Sequence, residues 1–368
     1  MISLIPNGLS GLPMRIRVER LQQIYRKFAL SYGAGDIDAQ VFADCLLRAD
    51  LRGHNTQGIG LAPYLEELFA SGVTRFGQDF EVVKESPATA LVDGHAGVGQ
   101  IISTRAMSMA IQKAKALGIG LVTVRNSGDC GMASNYAIQA MEQGLIGISM
   151  STGPSLVAPW GGRDARFCTN PLALAVPAGR KDPIVLDMAT SACSMGAVVL
   201  AARDGVLLAG KSVVDREGVY TDDPSRVILN NMHRESRMSG ALLPAGPKGF
   251  GMVLLVELLA GLLSGERSWE NETVATSEAR PAHYSQTFIA ISIEHFHEPS
   301  AFLSAAERMV ETLLGSRPAE GFAKVRLPGT GAVDKEDDYR KNGVIVREEE
   351  WEMLLAMASR LGFEVPAD

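Results

Sequence analysis

Four short segments of this 368-residue chain place polar or charged side chains where charge or protons could be handled. Lys248 stands in a Pro/Gly loop, residues 243–251, that opens the most apolar helix of the chain. An anion there would meet oriented N–H groups and a lysine charge. The run Asp129-Cys130-Gly131-Met132-Ala133 also leads from a strand end into a helix N-terminus, but Asp129 brings the charge that repels an anion. Asp187 precedes an apolar helical run, where Asp is a common N-cap, so it can cap that helix, contact a ligand, or both. Thr169 offers its hydroxyl either to a ligand or to the strand end before Asn170-Pro171.

The elements that must position these residues follow from periodicity. Residues 14–51 read as helix on helix, with Val18, Leu21, Ile24, Tyr25 and Phe28 at the spacing of a buried stripe. A polar turn covers 52–57 and a short helix 59–70. Extended structure is expected over 80–92, a helix over 104–117 capped by Gly118, and a strand over 119–124. A polar loop at 125–129, a helix near 133–143 and a strand over 146–151 follow. This strand, loop, helix, strand rhythm marks an α/β layer. Further strands are expected at 167–176, 183–187 and 287–293, and helices at 188–202, 300–314 and 348–361; an Asp- and Gly-containing loop covers 215–225. Met107, Met109 and Met141 read as core packing. The chain divides into a mostly helical segment 1–85, a central α/β region 86–321, and a C-terminal segment 322–368 that packs back on the N-terminal helices.

Gly94-His95-Ala96-Gly97-Val98-Gly99 lies between a strand and a helix and invites a dinucleotide-fold reading. The GxGxxG fingerprint fails, because its third glycine, counted from Gly97, falls on Ile102, and no acidic residue ends a strand about 20 positions on. A turn with a glycine-lined helix entry fits better. Neither a Walker loop nor a GxSxG elbow occurs.

Hydrophobic content of 46% and charged content of 21% are those of a globular chain, which excludes wholesale disorder. Thirty-five basic and forty-two acidic side chains give a net charge of −7, with no basic stretch to suggest nucleic acid. Residues 1–13 lack the cationic lead of a signal peptide. The apolar run 252–263 contains Glu257 and falls short of the roughly 20 residues that cross a bilayer. Cys45, Cys130, Cys168 and Cys193 form no CxxC pair and read as reduced thiols, and His295 and His297 as a solvated strand end. A soluble, cytoplasmic protein is expected, without nucleic-acid, membrane or metal partners.

Taken in order, several motifs together carry a resemblance. They are Arg52-Gly53-His54-Asn55-Thr56-Gln57-Gly58-Ile59, Asn126-Ser127-Gly128-Asp129-Cys130-Gly131, Thr169-Asn170-Pro171-Leu172-Ala173 and Leu186-Asp187-Met188-Ala189-Thr190-Ser191. Leu243 to Gly251, Glu257-Leu258-Leu259 and Leu327-Pro328-Gly329 complete the set. Across residues 17–361 the chain resembles the malate/L-lactate dehydrogenase type-2 family, which also holds ureidoglycolate and sulfolactate dehydrogenases, diketogulonate reductase and cyclic-imine carboxylate reductases. The resemblance implies the family's own non-Rossmann α/β fold with a mixed sheet, a NAD or NADP cofactor, a homodimer, and hydride transfer on a small carboxylate substrate. It places Thr56, Gln57 and Asp129 at the catalytic positions and His54, Leu61 and Thr169 against substrate. Asp129 to Ala133, Asp187, Met188, Ala189, Pro247, Lys248 and Gly329 fall at cofactor positions.

The same resemblance exposes departures. Thr56-Gln57-Gly58 stands where the family has Ser-His-Gly, and Leu61 where a basic residue often follows. Asp129-Cys130 replaces the second His and its aromatic neighbour. Ala197 stands where imine reductases carry Asp, Gly246-Pro247 replaces Gly-Gly, and Thr330 replaces an acid. A positioned acid–base group is worth about 10²–10⁴ in rate, and glutamine donates a hydrogen bond without delivering a proton. His54, three residues before Gln57, is expected to be a structural partner at the turn. Two functions remain open: an oxidoreductase with an altered proton relay, or a member that binds nucleotide or a partner without turnover.

Overall fold

The computed structural model describes residues 13–228, 238–270 and 284–367; the reading of residues 1–13 falls, except for Pro13, outside them. From the N-terminus run β1 (Met14–Ile16), α1 (Val18–Ser31), α2 (Asp36–Leu51) and α3 (Ala62–Ala70). The central region holds β2 (Glu81–Glu85), β3 (Thr89–Gly97), α4 (Gly99–Leu117), β4 (Ile119–Ser127), α5 (Ser134–Met141), β5 (Leu145–Thr152), β6 (Leu172–Val176) and β7 (Ile184–Met188). Then come α6 (Met195–Arg203), β8 (Val213–Val214), β9 (Tyr220–Thr221), β10 (Ala241–Leu242), α7 (Gly246–Val256), β11 (Tyr284–Ser292) and α8 (Pro299–Leu314). The chain ends with α9 (Thr330–Asn342), β12 (Val344–Val346) and α10 (Glu348–Leu361).

Seven strands form the main sheet in the order β2-β3-β4-β11-β5-β6-β7. Only β3 and β4 pair in parallel; every other neighbouring pair is antiparallel. This is a mixed α/β sheet and not a doubly wound one. Side chains alternate across it, as a period of two requires. Phe288 and Ala290 of β11 join Val122, Val124 and the α4 stripe of Ala106, Met107, Ala110 and Ala114 on one face. Ile289 packs on the other face, against Val256 and Ala260. The helices lie close because glycines stand beneath them: a Cβ on Gly147 would stand 2.2 Å from the Ala137 carbonyl oxygen. Gly118 ends α4 with φ +89°, as a left-handed C-cap.

A second core holds the N-terminal helices. Leu21, Ile24, Tyr25 and Phe28 of α1 meet Phe42 and Leu46 of α2 and Phe69 of α3, and Trp351, Leu354 and Met357 of α10 join the same cluster. Phe28, Phe42, Phe69 and Phe76 stack at ring separations of 5.0–6.0 Å. A three-stranded sheet, β10-β8-β9, packs with α6 over Val157, Val198 and Leu242.

Several expectations need correction. Residues 14–16 are a strand paired with β12, so the first helix begins at Val18. The helix expected over 188–202 starts only at Met195, because β7 runs through Met188 and Ser194 caps α6 by accepting from the Ala197 N–H at 3.1 Å. The strand expected over 167–176 begins at Leu172, and Phe167 makes only an isolated bridge to Val157. Residues 215–225 hold β9 within their loop, with Asp215 Oδ1 accepting from the Glu217 and Val219 N–H groups. His295 closes a 3₁₀ turn, and both it and His297 are exposed. The apolar run is also longer than its sequence suggested. A π-turn at Glu257–Gly261 and a 3₁₀ turn at Leu262–Ser264 extend α7 into one helical stretch, Gly246–Ser264, of 19 residues. By length and composition it could cross a membrane, yet its Glu257 is buried against the sheet, bonded to Thr152 Oγ1 at 2.8 Å and Asn170 Nδ2 at 2.9 Å.

Candidate active site

One edge of the main sheet gathers the loops that matter. The registers Gly97↔Ser127, Ser127↔Tyr284, Ser285↔Thr152, Met150↔Leu172 and Leu172↔Met188 bring the ends of six strands together there. Loops 128–133, 168–171 and 189–194 leave from this edge. The last is tied to the start of α7: Ser191 bridges Pro244, the Ala245 N–H donates to the Thr190 carbonyl at 3.1 Å, and the Ala192 N–H to the Leu243 carbonyl at 2.8 Å. β7 ends with Asp187 and Met188, and the loop after it ties them to Pro247 and Lys248, which lie in the first turn of α7 and not, as expected, in a loop. Both Lys248 and Pro247 are exposed, and Lys248 has no hydrogen-bond or ion-pair partner among the described residues.

The N-terminal segment faces this edge on a turn built over a buried carboxyl. Asp50 is fully buried; its Oδ2 accepts from the Tyr25 hydroxyl at 2.5 Å and its Oδ1 from the Ile59 N–H at 3.0 Å. A Cβ on Gly58 would stand 2.1 Å from that Oδ1, so the turn requires glycine there. Burial lifts the Asp50 carboxyl to about 7, against the pull of its two hydrogen bonds. Over it, Asn55–Gln57 form a 3₁₀ turn, with Asn55 Nδ2 donating to the Ile345 carbonyl at 3.0 Å. The Thr56 methyl approaches Gly196 at the start of α6, where a Cβ would stand 3.0 Å away.

Gln57, Leu61 and Asp129 do meet. Gly131, with φ +71°, is the hub: a Cβ built there would lie 3.8 Å from the Gln57 carbonyl oxygen, 3.6 Å from Leu61 Cδ2 and 3.3 Å from Gln100 Nε2. Asp129 Oδ1 accepts from the Gly131 N–H at 2.7 Å and so shapes its own loop. Gln57 Oε1 and both polar atoms of Gln100 are buried without a partner among the described residues. Leu61 is fully buried and presents only methyls. The Cys130 thiol is pushed far up, by burial first and then by Asp129. Cys130, Met132 and Ala133 are all buried.

Asp187 does not cap the helix after it. Its Oδ2 accepts from the Ser134 N–H at 2.8 Å and caps α5 instead, which draws loop 129–133 toward β7. It also faces His54 electrostatically. Burial pushes the His54 imidazole down, Asp187 opposes, and Arg52 and Lys335 add to the depression, so the ring is neutral at pH 7. Arg52 Nη1 pairs with Glu336 at 3.4 Å. Lys335 and Glu336 come from α9, whose start is pinned by Gly329: φ is +90°, and a Cβ would stand 2.9 Å from the Val185 carbonyl oxygen. Thr169 uses its carbonyl to accept from the Thr190 N–H and Oγ1, while its hydroxyl lies 3.9 Å from the Cys168 thiol. The rejected glycine run forms the end of β3 and the entry to α4, and Gly99 packs so tightly on the Gly128 and Asp129 carbonyls that a Cβ would stand 2.3 Å from the nearer.

A model of the malate/L-lactate dehydrogenase family matches residues 16–355. The chain belongs to that family. Malate dehydrogenase of Pyrococcus horikoshii is 35% identical over 360 residues, covering 95% of this chain and 96% of the relative. L-sulfolactate dehydrogenase of Methanocaldococcus jannaschii is 32% identical, covering 96% and 98%. The solved P. horikoshii malate dehydrogenase superposes with a TM-score of 0.85 at 31% identity, covering 96% of this chain and 97% of that one. Δ1-piperideine-2-carboxylate reductase of Pseudomonas syringae superposes at 0.79 with 29% identity, covering 94% and 100%. The malate/L-lactate dehydrogenase fold is therefore the fold of this chain, and the chain is an oxidoreductase of that family.

Sequence reasoning missed several residues that the fold brings to this edge: Arg52, Tyr64, Gln100, Tyr284, Lys335 and Glu336. Arg52 sat inside a motif already singled out. Gln100 directly follows the glycine run, and its polarity in the first turn of a mostly apolar buried face was the available signal. Tyr64, Tyr284 and the α9 pair carried none.

Proposed function

We propose that this protein is a NAD- or NADP-dependent oxidoreductase that moves a hydride to or from a small 2-oxo or 2-hydroxy acid, or a cyclic-imine carboxylate. The observation that carries the reading is the meeting of three segments at one sheet edge: the end of β7 with loop 189–194, Lys248 at the opening of α7, and the Gly131 turn beside polar atoms of Gln57 and Gln100, with Lys248 and those atoms unpartnered among the described residues. These residues fit a dinucleotide. Lys248 and the first-turn N–H groups of α7 suit a pyrophosphate. Asp187, Met188, Ala189, Gly329 and the backbone of 129–133 suit the rest of the cofactor, which when bound supplies the hydride.

Thr56, Gln57 and Asp129 then surround the reacting atoms, and His54, Leu61 and Thr169 complete the substrate side. Gln57 donates an amide hydrogen bond to a carbonyl oxygen or imine nitrogen. Leu61 puts methyls where a charge could have held a second carboxylate, which favours a compact substrate. The outward row Leu254, Leu255, Leu258, Leu262 and Leu263, each 37–53% exposed, supports a homodimer sealed by α7 and its extension. The four thiols, none of them disulfide-bonded, suit a cytoplasmic enzyme. Turnover tests the reading: the protein is mixed with NADH or NADPH and a panel of 2-oxo acids and cyclic imines, and loss of the reduced nicotinamide's absorbance is followed. Consumption with at least one substrate is expected. Tight nucleotide binding with no consumption across the panel would favour a non-catalytic member, the reading that Gln57 in a titratable group's place supports.

A further inference from the structure

Reducing a carbonyl requires a proton as well as a hydride, and most polar groups around Gly131 are poorly placed to give one. The Gln57 amide does not titrate in water, Asp129 is engaged with the Gly131 N–H, and Cys130 and Cys168 are both buried. One further pair of hydroxyls reaches the same edge. Tyr284 opens β11 opposite Ser127, beside a register shift, and its hydroxyl lies 3.0 Å from that of Tyr64 on α3. Gly153 makes room for its ring: a Cβ there would stand 2.5 Å from Tyr284 Cδ1. Tyr64 lies three residues beyond Leu61, which touches Gly131, so one wall of the N-terminal segment contributes both contacts. Tyr284 is only partly covered, while Tyr64 behind it is 8% exposed.

We propose that Tyr284 is the proton donor of this oxidoreductase and that Tyr64 behind it resupplies the proton. The inference rests on the oxidoreductase reading above and takes a 2-oxo acid as substrate. As the carbonyl carbon gains a hydride with its electron pair, the C=O π pair moves to oxygen. The Tyr284 O–H bond breaks as that oxygen takes the proton. The resulting phenolate takes the Tyr64 proton, and Tyr64 recovers one from water. Burial first, then Tyr64, Asp129 and Cys168, raise the Tyr284 hydroxyl well above its ordinary range, so it carries its proton at neutral pH.

Tyr284→Phe and Tyr64→Phe test this in two readouts: kcat with a 2-oxo acid, and calorimetric binding of NADH followed by oxamate, an unreactive 2-oxo acid analogue. Tyr284→Phe should bind NADH as the wild type does, bind oxamate about tenfold more weakly, and lose at least a hundredfold in kcat. Tyr64→Phe should keep both affinities and lose about tenfold in kcat. A Tyr284→Phe protein with wild-type oxamate affinity and kcat within threefold overturns the proposal while leaving the oxidoreductase reading intact. Activity confined to cyclic imines and indifferent to Tyr284→Phe overturns it likewise. Failure of the wild type to bind NADH or NADPH sinks both, and is distinguishable because it precedes any variant.

Discussion

Asp50→Asn isolates the carboxyl beneath the Thr56–Gly58 turn. Asp50 is 0% exposed and bonded to Tyr25 and Ile59, and burial lifts it from 3.8 to about 7, with Glu350 pushing the same way. Its folded-state value lies above the unfolded one, so the folded protein holds a proton that the unfolded chain releases. The stability this group contributes is complete below about pH 4 and lost as pH climbs toward 7. Across that window the loss runs at roughly 1.4 kcal/mol per pH unit, on the order of 4 kcal/mol in all. Asparagine does not titrate, and its oxygen can still accept from the Ile59 N–H. Urea unfolding of both proteins from pH 5 to pH 8 reads the difference directly. The wild type's stability relative to Asp50→Asn should fall by on the order of 3 kcal/mol between pH 5 and pH 7 and level off above pH 8. Two curves that run parallel, separated by a constant, would refute the reasoning.

Other expectations follow from single contacts. Gly58→Ala forces a Cβ to 2.1 Å from Asp50 Oδ1 and should destabilise by about 1–3 kcal/mol in urea melts while lowering activity. Ser194→Ala removes the α6 cap and should cost about 1 kcal/mol, with unchanged nucleotide affinity by calorimetry. Lys248→Ala should leave the circular dichroism spectrum unaltered and weaken NADH or NADPH binding by about tenfold. Leu258→Glu places a charge in the outward leucine row and should convert a sedimenting dimer to monomer at the same protein concentration.

The fold was readable in the sequence where a hydrophobic period was strong. The α1 stripe of Leu21, Ile24, Tyr25 and Phe28, the α10 span and the β4–α5–β5 rhythm all stand near their expected positions. It was unreadable where little is buried or where tertiary pairing decides. In α9, Thr330–Asn342, only Tyr339 is buried, so no stripe announced the helix that brings Lys335 to His54. The segment 188–194 is apolar enough to resemble a helix start, yet pairing of β7 with β6 holds Met188 extended. Much the same holds for the site. The motif residues Gln57, Asp129 and Asp187 converge, because the N-terminal 3₁₀ turn carrying Gln57 packs over the sheet edge where Asp129's loop and the end of β7 lie. Asp187, however, accepts from the Ser134 N–H, 53 residues away, and not from the helix after it, a partner local pattern cannot reveal. Tyr64 and Tyr284, 220 positions apart, met only through folding.

Nucleotide binding is the property on which the oxidoreductase activity depends most directly, and calorimetric titration of the purified protein with NADH and with NADPH tests it. Saturable binding of one of them at micromolar concentration, lost in Lys248→Ala, is the predicted result. No heat from either cofactor at millimolar concentration would contradict the account.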